Sequence, residues 1–260
     1  MKKLLLGIIS ILSLTLLFSG CVDNTGAEQQ EVLHAYVGAG MQMPMDEIAV
    51  EFEKKYGIKV EYDYSGSGAL LSKIVASNQG DIFMPGDCSY VYQLEDKEMI
   101  KECSNVTKHI PVIAVQKGNP KNITGLSDLG QNGLELALGD DSISLGKLFK
   151  KILAKAETKG LNITKAVDTN TVVTGATVKQ VLLYVTEKNV DAAVVWKADA
   201  YENPDRVDIV PIESEYNIVK TVPISILSTT ENYENSKLFY DFVNNEGKEI
   251  FEKHGFVALE

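Results

Sequence analysis

The residues best suited to chemistry are glycines and small hydroxyl residues at the points where predicted strands run into predicted helices. These junctions are Gly38-Ala39-Gly40, Ser65 to Gly68, Gly139 to Gly146 and Thr174 to Val178. A helix N-terminus presents backbone N–H groups without partners and a partial positive charge. Several such ends converging on one cleft would bind an anion without any cationic side chain. Turn formation and capping explain each junction taken singly, so it is their number that favours a binding site.

The charge of the chain argues against one class of partner. Its 25 Lys+Arg and 36 Asp+Glu residues give a net charge of −11, and Arg206 is its single arginine. An acidic surface repels phosphate backbones, so we expect no nucleic acid partner. Because bidentate arginine clamps are almost absent, a bound anion would be held by backbone amides and hydroxyls.

Catalytic and metal-binding motifs are weaker than the junctions. Ser144 and Lys147 fit the S-x-x-K pattern of penicillin-recognising enzymes, but no S-D-N or K-T-G accompanies them. An exported serine hydrolase using these two residues is the least favoured alternative. His34, His109 and His254 have no companions at metal-ligand spacing. We therefore expect no enzyme, no cofactor and no metal ion bound directly by side chains.

The first 20 residues have the order of an export signal. Met1-Lys2-Lys3 supplies positive charge, an apolar run follows from Leu4 to Phe18, and small residues precede Cys21. This order predicts a signal peptide over residues 1–20. Its removal takes away two lysines and no acid, which changes the net charge from −11 to −13.

The residues after the signal predict attachment to a membrane. Cys21 resembles the modified cysteine of exported lipoproteins, so we expect a lipid on its sulfur and a chain anchored to the outer face of the cytoplasmic membrane. Residues 21–31 are polar and would form the lipidated tether. Two further cysteines, Cys88 and Cys103, could form a disulfide or remain free thiols.

Beyond the tether, short β-rich runs alternate with amphipathic helical patterns, which predicts an α/β fold. Strands at Ile110 to Gln116 and at Lys220 to Leu227 bracket a middle portion rich in βα units. They would be two hinge crossings between lobes, with the cleft between the lobes. We expect a first lobe of residues 32–112 and 223–260, a second lobe of residues 113–222, and a monomer.

Several segments in order resemble one known family over nearly all of the mature chain. They are "HAYVGAGMQMPMDEIAVEFEKKYGIKVEYDYSGSGALLSKI", "GDIFMPGD", "ELALGD", "ATVKQVLLYVTEKNVDAAVVWKADA" and "EIFEKHGF". The chain resembles the molybdate/tungstate-binding receptors of ABC importers. The resemblance implies a type II-like periplasmic-binding-protein fold, a hinged cleft, and delivery of an oxyanion to a permease with a cytoplasmic ATPase.

The resemblance also implies a set of ligand-binding residues. They are Ser67 through its hydroxyl, Ala39, Gly40, Leu145 and Val178 through their amides, and Trp196 as one wall. The family's hydroxyl in the first loop falls on Gly40, and its tyrosine becomes Trp196, whose indole N–H donates and cannot accept. No acid lies within residues 176–182. Octahedral coordination would need a carboxylate from this segment to reach the metal, so tetrahedral coordination is favoured. The alternative is another small anion or an organic acid, which Gly40 and Trp196 would admit by opening the pocket.

Overall fold

The computed structural model describes residues 32–259. The predicted signal peptide, the lipidation site Cys21 and the tether lie outside these residues. Within them, the strands are β1 (Val32–Gly38), β2 (Lys59–Ser65), β3 (Ile82–Met84), β4 (Ile100–His109), β5 (Pro111–Gln116), β6 (Leu136–Gly139), β7 (Thr171–Gly175), β8 (Ala192–Trp196), β9 (Val207–Pro211), β10 (Lys220–Leu227) and β11 (Val257–Ala258).

Helices cover both sheets. Within the described residues they are α1 (Gln42–Tyr56), α2 (Ser67–Ser77), α3 (Cys88–Glu95), α4 (Ser144–Thr158), α5 (Thr164–Asn170), α6 (Val178–Thr186), α7 (Lys197–Tyr201), α8 (Tyr233–Asn244) and α9 (Gly247–Lys253). Helix α1 shows how the pattern works, since Met45, Ile48 and Phe52 form one fully buried face and Gly57 ends the helix at φ 72°. No helix in this part of the chain has the length and apolarity needed to cross a membrane.

The strands form two separate sheets, one in each lobe. The first sheet has the order β11-β4-β10-β3-β1-β2 and the second has the order β7-β6-β8-β5-β9. Strands β1, β2 and β3 are mutually parallel, as are β6, β7 and β8. Parallel strands bring their carboxyl ends to the same edge of a sheet, and ligands of open α/β sheets bind at that edge. The α/β fold with two lobes is confirmed.

The chain crosses between the lobes twice. Ile110 alone separates β4 of the first sheet from β5 of the second, and residues 212–219 lead back from β9 to β10. The buried side chain of Asn217 in the second crossing donates from Nδ2 to the carbonyl of Pro111, 2.9 Å away, at the first. The two crossings are therefore hydrogen-bonded to each other. The predicted lobe boundaries, after residues 112 and 222, fall inside β5 and β10.

Each lobe has its own hydrophobic core. In the first lobe the largest cluster joins α1, α8 and α9 to the sheet, with Phe52, Phe239 and Phe251 at its centre. In the second lobe, Phe149 and Ile152 of α4 pack beneath one sheet face, and α6 covers the other. Ala198 of α7 packs into the cluster of the first lobe. Helix α7 therefore joins the lobes beside the crossings.

Candidate functional site

A cleft of about 800 Å³ lies between the lobes and receives all four predicted junctions. The first lobe contributes residues 38–41 and 65–69, and the second contributes residues 142–144 and 176–179. The register explains the convergence, because Gly38 pairs with Ser65 at the ends of β1 and β2, and Gly139 pairs with Gly175 at the ends of β6 and β7. The carboxyl edges of both sheets thus face one space, as the pattern predicted for an anion site requires.

The structure brings five of the six predicted site residues together. Ala39, Gly40, Ser67, Val178 and Trp196 line the cleft. Leu145 does not line it, because its side chain is buried in the core of the second lobe. Ile143 and Ser144, at the start of α4, take its place on the cleft wall. The predicted donor at this position is the backbone amide of Leu145, the second residue of α4, and it stays a prediction because the burial of the side chain does not concern that amide.

Two glycines bring the N-terminus of α4 close to the end of β6. A Cβ atom added at Gly146 would lie 2.1 Å from the carbonyl oxygen of Asp140 and 2.4 Å from that of Gly139. Contacts this short exclude any side chain at position 146. The glycine therefore lets the start of α4 pack directly against the end of β6, beside residues 142–144 that line the cleft.

Ser67 is the first residue of α2, which begins directly after β2. Its Oγ accepts a hydrogen bond from the amide of Gly86, 3.1 Å away. The hydroxyl proton remains available for a ligand, because a serine hydroxyl donates as well as accepts. Ser67 is thus held by the chain after β3 while its proton is free to bind an anion.

A fifth junction, after β3, was missed by the sequence analysis. Gly86 and Asp87 line the cleft, and the Asp87 carboxylate caps α3 by accepting from the amide of Ser89 at 2.8 Å. Burial alone would raise the pKa of Asp87, but hydrogen bonds from Lys220, 2.5 Å away, and Ser89 lower it below its usual value. The sequence Pro85-Gly86-Asp87 is the signal that would have found this junction.

His109 is a second cleft residue that the sequence analysis set aside. It is the last residue of β4, lines the cleft and is 4% exposed. Its ring stacks on Trp196 with centroids 3.9 Å apart and planes 19° apart, and on Phe256 at 5.5 Å. Burial lowers the pKa of His109 to about 3, so the imidazole is neutral at pH 7. An isolated histidine beside an unpredicted strand gave no signal in the sequence.

Charged side chains also line the cleft, which the sequence analysis did not predict. The lining includes the lysines Lys147, Lys151, Lys179 and Lys220 and the aspartates Asp87 and Asp199. This balance is positive in a chain whose net charge is −11. A cleft lined by an excess of cations focuses the field and raises the local concentration of anions.

Asp199 lines the cleft and has a largely buried carboxyl. Burial and the neighbouring Glu202 raise the pKa of Asp199 to about 7, against a smaller opposing effect of Lys179. The group therefore changes charge near neutral pH. An ionised Asp199 opposes an anion in the cleft, whereas a protonated one does not.

The two residues of the serine hydrolase alternative lie in the cleft but are not hydrogen-bonded to each other. Ser144 and Lys147 both line it, yet no hydrogen bond joins them among the described residues. No group of three or more His, Cys, Asp or Glu side chains within residues 32–259 is arranged to hold a metal ion. Cys88 and Cys103 are free thiols.

Comparison with known proteins decides the class. The profile of the family described as bacterial extracellular solute-binding protein matches residues 33–257. The chain belongs to this family. YvgL of Bacillus subtilis, named as an ABC transporter substrate-binding lipoprotein, is 30% identical over 260 residues, which cover 96% of each chain. The molybdate-binding protein ModA of Escherichia coli is 23% identical over 252 residues, covering 92% of this chain and 93% of that one.

Solved structures share the fold of this solute-binding protein. The substrate binding domain assigned to a molybdenum ABC transporter from Clostridium difficile superposes with a TM-score of 0.75 at 22% identity, covering 88% of this chain and 99% of that one. The relatives are substrate-binding proteins, a class that is not enzymatic. The chain therefore belongs to a family of extracytoplasmic binding proteins.

Proposed function

We propose that the protein is the receptor of an ABC importer and captures a tetrahedral oxyanion, molybdate or tungstate, in the cleft. The convergence of helix N-termini from both lobes on one space is the observation that carries this proposal. Ser67 would supply a hydroxyl donor, and the amides of Ala39, Gly40, Leu145 and Val178 would supply backbone donors. Trp196 forms one wall.

The relatives support molybdate or tungstate as the first ligand to test. The Escherichia coli relative is named as a molybdate-binding protein. Hydrogen-bond donors alone do not distinguish one dianion from another, so selectivity against sulfate would come from the size of the closed cavity. Closure would occur by rotation of the lobes about the two crossings.

A second candidate is a small organic acid that carries more than one anionic group. Two observations favour it. The cleft, at about 800 Å³, falls within the range of sites for small organic ligands, and Lys147 and Lys151 lie one helical turn apart on its wall without an ion-pair partner among the described residues. Those lysines would bind the group farther from Ser67.

The proposal also covers the location of the protein, on the outer face of the cytoplasmic membrane. The signal peptide over residues 1–20 and a lipid on Cys21 would anchor the receptor to the outer face of the cytoplasmic membrane, and the Bacillus subtilis relative is named as a lipoprotein. A permease and its ATPase would be the partners that take up the ligand.

Calorimetric titration of the purified mature chain with molybdate, tungstate and sulfate tests the proposal. Tight binding of molybdate or tungstate, with sulfate much weaker, is the expected result. Heat only with organic acids would establish the second candidate instead. If no anion of either kind gives heat or raises the melting temperature, both candidates are wrong.

A further inference from the structure

The imidazole of His109 is a buried polar group without a protein partner. Neither Nδ1 nor Nε2 has a hydrogen bond among the described residues. Leaving a buried donor or acceptor unpaired costs about 1–3 kcal/mol. Native proteins rarely keep such groups unless a water, an ion or a ligand satisfies them. The ring therefore lacks a partner that the bound state can supply.

The polar edge of this ring is turned toward two glycines of the first lobe. A Cβ atom added at Gly40 would lie 3.4 Å from Cε1 and 3.8 Å from Nε2 of His109. One added at Gly86 would lie 3.8 Å from Nδ1 and equally far from Oγ of Ser67. Since both glycines and His109 itself line the cleft, the buried imidazole nitrogens lie at the cleft wall beside the Ser67 hydroxyl.

The stack fixes the ring in this orientation. Trp196, from the second lobe, lies against the His109 ring, and Phe256, from the first, stacks on it as well. A ring held in this way donates a hydrogen bond with little further loss of side-chain freedom. A neutral imidazole has one N–H donor and one lone pair. It can therefore donate a single hydrogen bond to an unprotonated oxygen of an anion.

We propose that His109 is a ligand-binding residue whose neutral ring donates one N–H hydrogen bond to an oxygen of the bound anion, next to Ser67. This inference rests on the proposed function of the cleft. It adds to the proposed donors one side chain from the end of β4, next to the first crossing.

Two substitutions separate binding from packing. His109→Phe keeps an aromatic ring for the stack and removes both nitrogens, whereas His109→Gln keeps an N–H donor and loses the stack. For the ligand that titrates wild type, we expect His109→Phe to weaken affinity about 10-fold and His109→Gln to weaken it less. A folded His109→Phe protein that binds as tightly as wild type overturns the inference.

Nitrogen-15 NMR of the wild-type histidines gives a readout that does not depend on the variants folding. Saturation with molybdate should shift one ring nitrogen of His109 while the ring stays neutral. Unchanged His109 shifts in a protein that calorimetry shows to be saturated would also overturn the inference, and would leave the proposed function intact. Absence of binding by wild type would instead refute the proposed function.

Discussion

The indole of Trp196 and the imidazole of His109 lie nearly parallel, with centroids 3.9 Å apart, although they belong to different lobes. His109 ends a strand of the first sheet, and Trp196 ends a strand of the second. The pairing of Trp196 with Pro111 in the second sheet holds the two residues at the first crossing. The floor of the cleft is therefore built from both lobes at once.

Trp196 should report ligand binding directly. It is the only tryptophan in the chain, so intrinsic fluorescence comes from this one wall of the cleft. We expect the emission intensity or maximum to change on addition of molybdate, with a midpoint that matches the calorimetric affinity. An emission spectrum that stays constant while heat is released would place the bound ion away from Trp196.

Ser67→Ala should weaken anion binding. The substitution removes the hydroxyl donor and the acceptor that holds the amide of Gly86, so we expect about a 10-fold loss of affinity. Ser72→Ala is the matched control, because Ser72 lies on the same helix, is exposed and donates only to the carbonyl of Gly68. Equal losses for the two variants in calorimetry would show that the effect is not local to the cleft.

Replacing Lys147 and Lys151 together by glutamine should reduce affinity for a ligand with two anionic groups more than for molybdate. Both lysines line the cleft, and removal of their charge weakens the attraction for any anion, more so at low ionic strength. Lys150→Gln is the control on the same helix, since Lys150 pairs with Asp141 at 2.6 Å on the exposed surface and such pairs contribute little. Titrations at two salt concentrations check this reason. The loss of affinity in the double variant should be larger at low salt, whereas Lys150→Gln should change affinity little at either concentration.

Asp199 should make anion affinity depend on pH. Its pKa of about 7 means that the carboxyl ionises as pH rises through neutrality and then repels the ligand. We expect wild type to bind more weakly at pH 8 than at pH 6, and Asp199→Asn to bind alike at both.

Asp199 also affects stability with a defined sign. Its folded pKa lies above the usual value of an aspartate, so the folded state binds the extra proton and stability falls as pH rises toward 7. Asp199→Asn should therefore gain in melting temperature relative to wild type between pH 5 and pH 8. A difference between the two proteins that is the same at all pH values would contradict the raised pKa.

His109 should have the opposite effect on stability. Its folded pKa of about 3 lies below that of a free histidine, so between these values the unfolded state binds more protons and stability falls on acidification. The loss is at most about 1.4 kcal/mol per pH unit below pH 6.5. Urea unfolding at pH 7, 6 and 5 should show this dependence in wild type and a smaller one in His109→Phe. Parallel pH profiles would show that His109 is not the source.

The regular pattern of the chain made the two lobes predictable. Strand β8 is a continuous apolar run, helices α1 and α4 follow clear hydrophobic periods, and the glycine-rich junctions mark where strands end. Strand β4 was not predicted. Residues Lys101 to Asn105 alternate between exposed and partly buried positions, but polar side chains occur at both, so the sequence alone does not distinguish this segment from a loop. Its place in the sheet comes from pairing with β10, more than 100 residues away in the chain.

The backbone segments that line the cleft could be predicted from the sequence, but its buried histidine and its lysines could not. Junction glycines and Ser67 carry a local signal, whereas His109 enters the cleft only because unpredicted β4 ends at the crossing. Lys147 and Lys151 lie four residues apart on α4, so their shared face was readable, but the direction of that face depends on how Gly146 seats the helix against β6. The direction in which this face of α4 points is set by tertiary packing and not by the local sequence.

The hydrogen bond from Asn217 to Pro111 limits the freedom with which the lobes can move. With only Ile110 between the sheets at one crossing, and the other crossing fastened to it, sliding and twisting motions would break this bond, whereas rotation about a single axis preserves it. A membrane partner that recognises the spacing between the lobes would distinguish an open arrangement from a closed one. Discrimination between them needs no contact with the ligand itself.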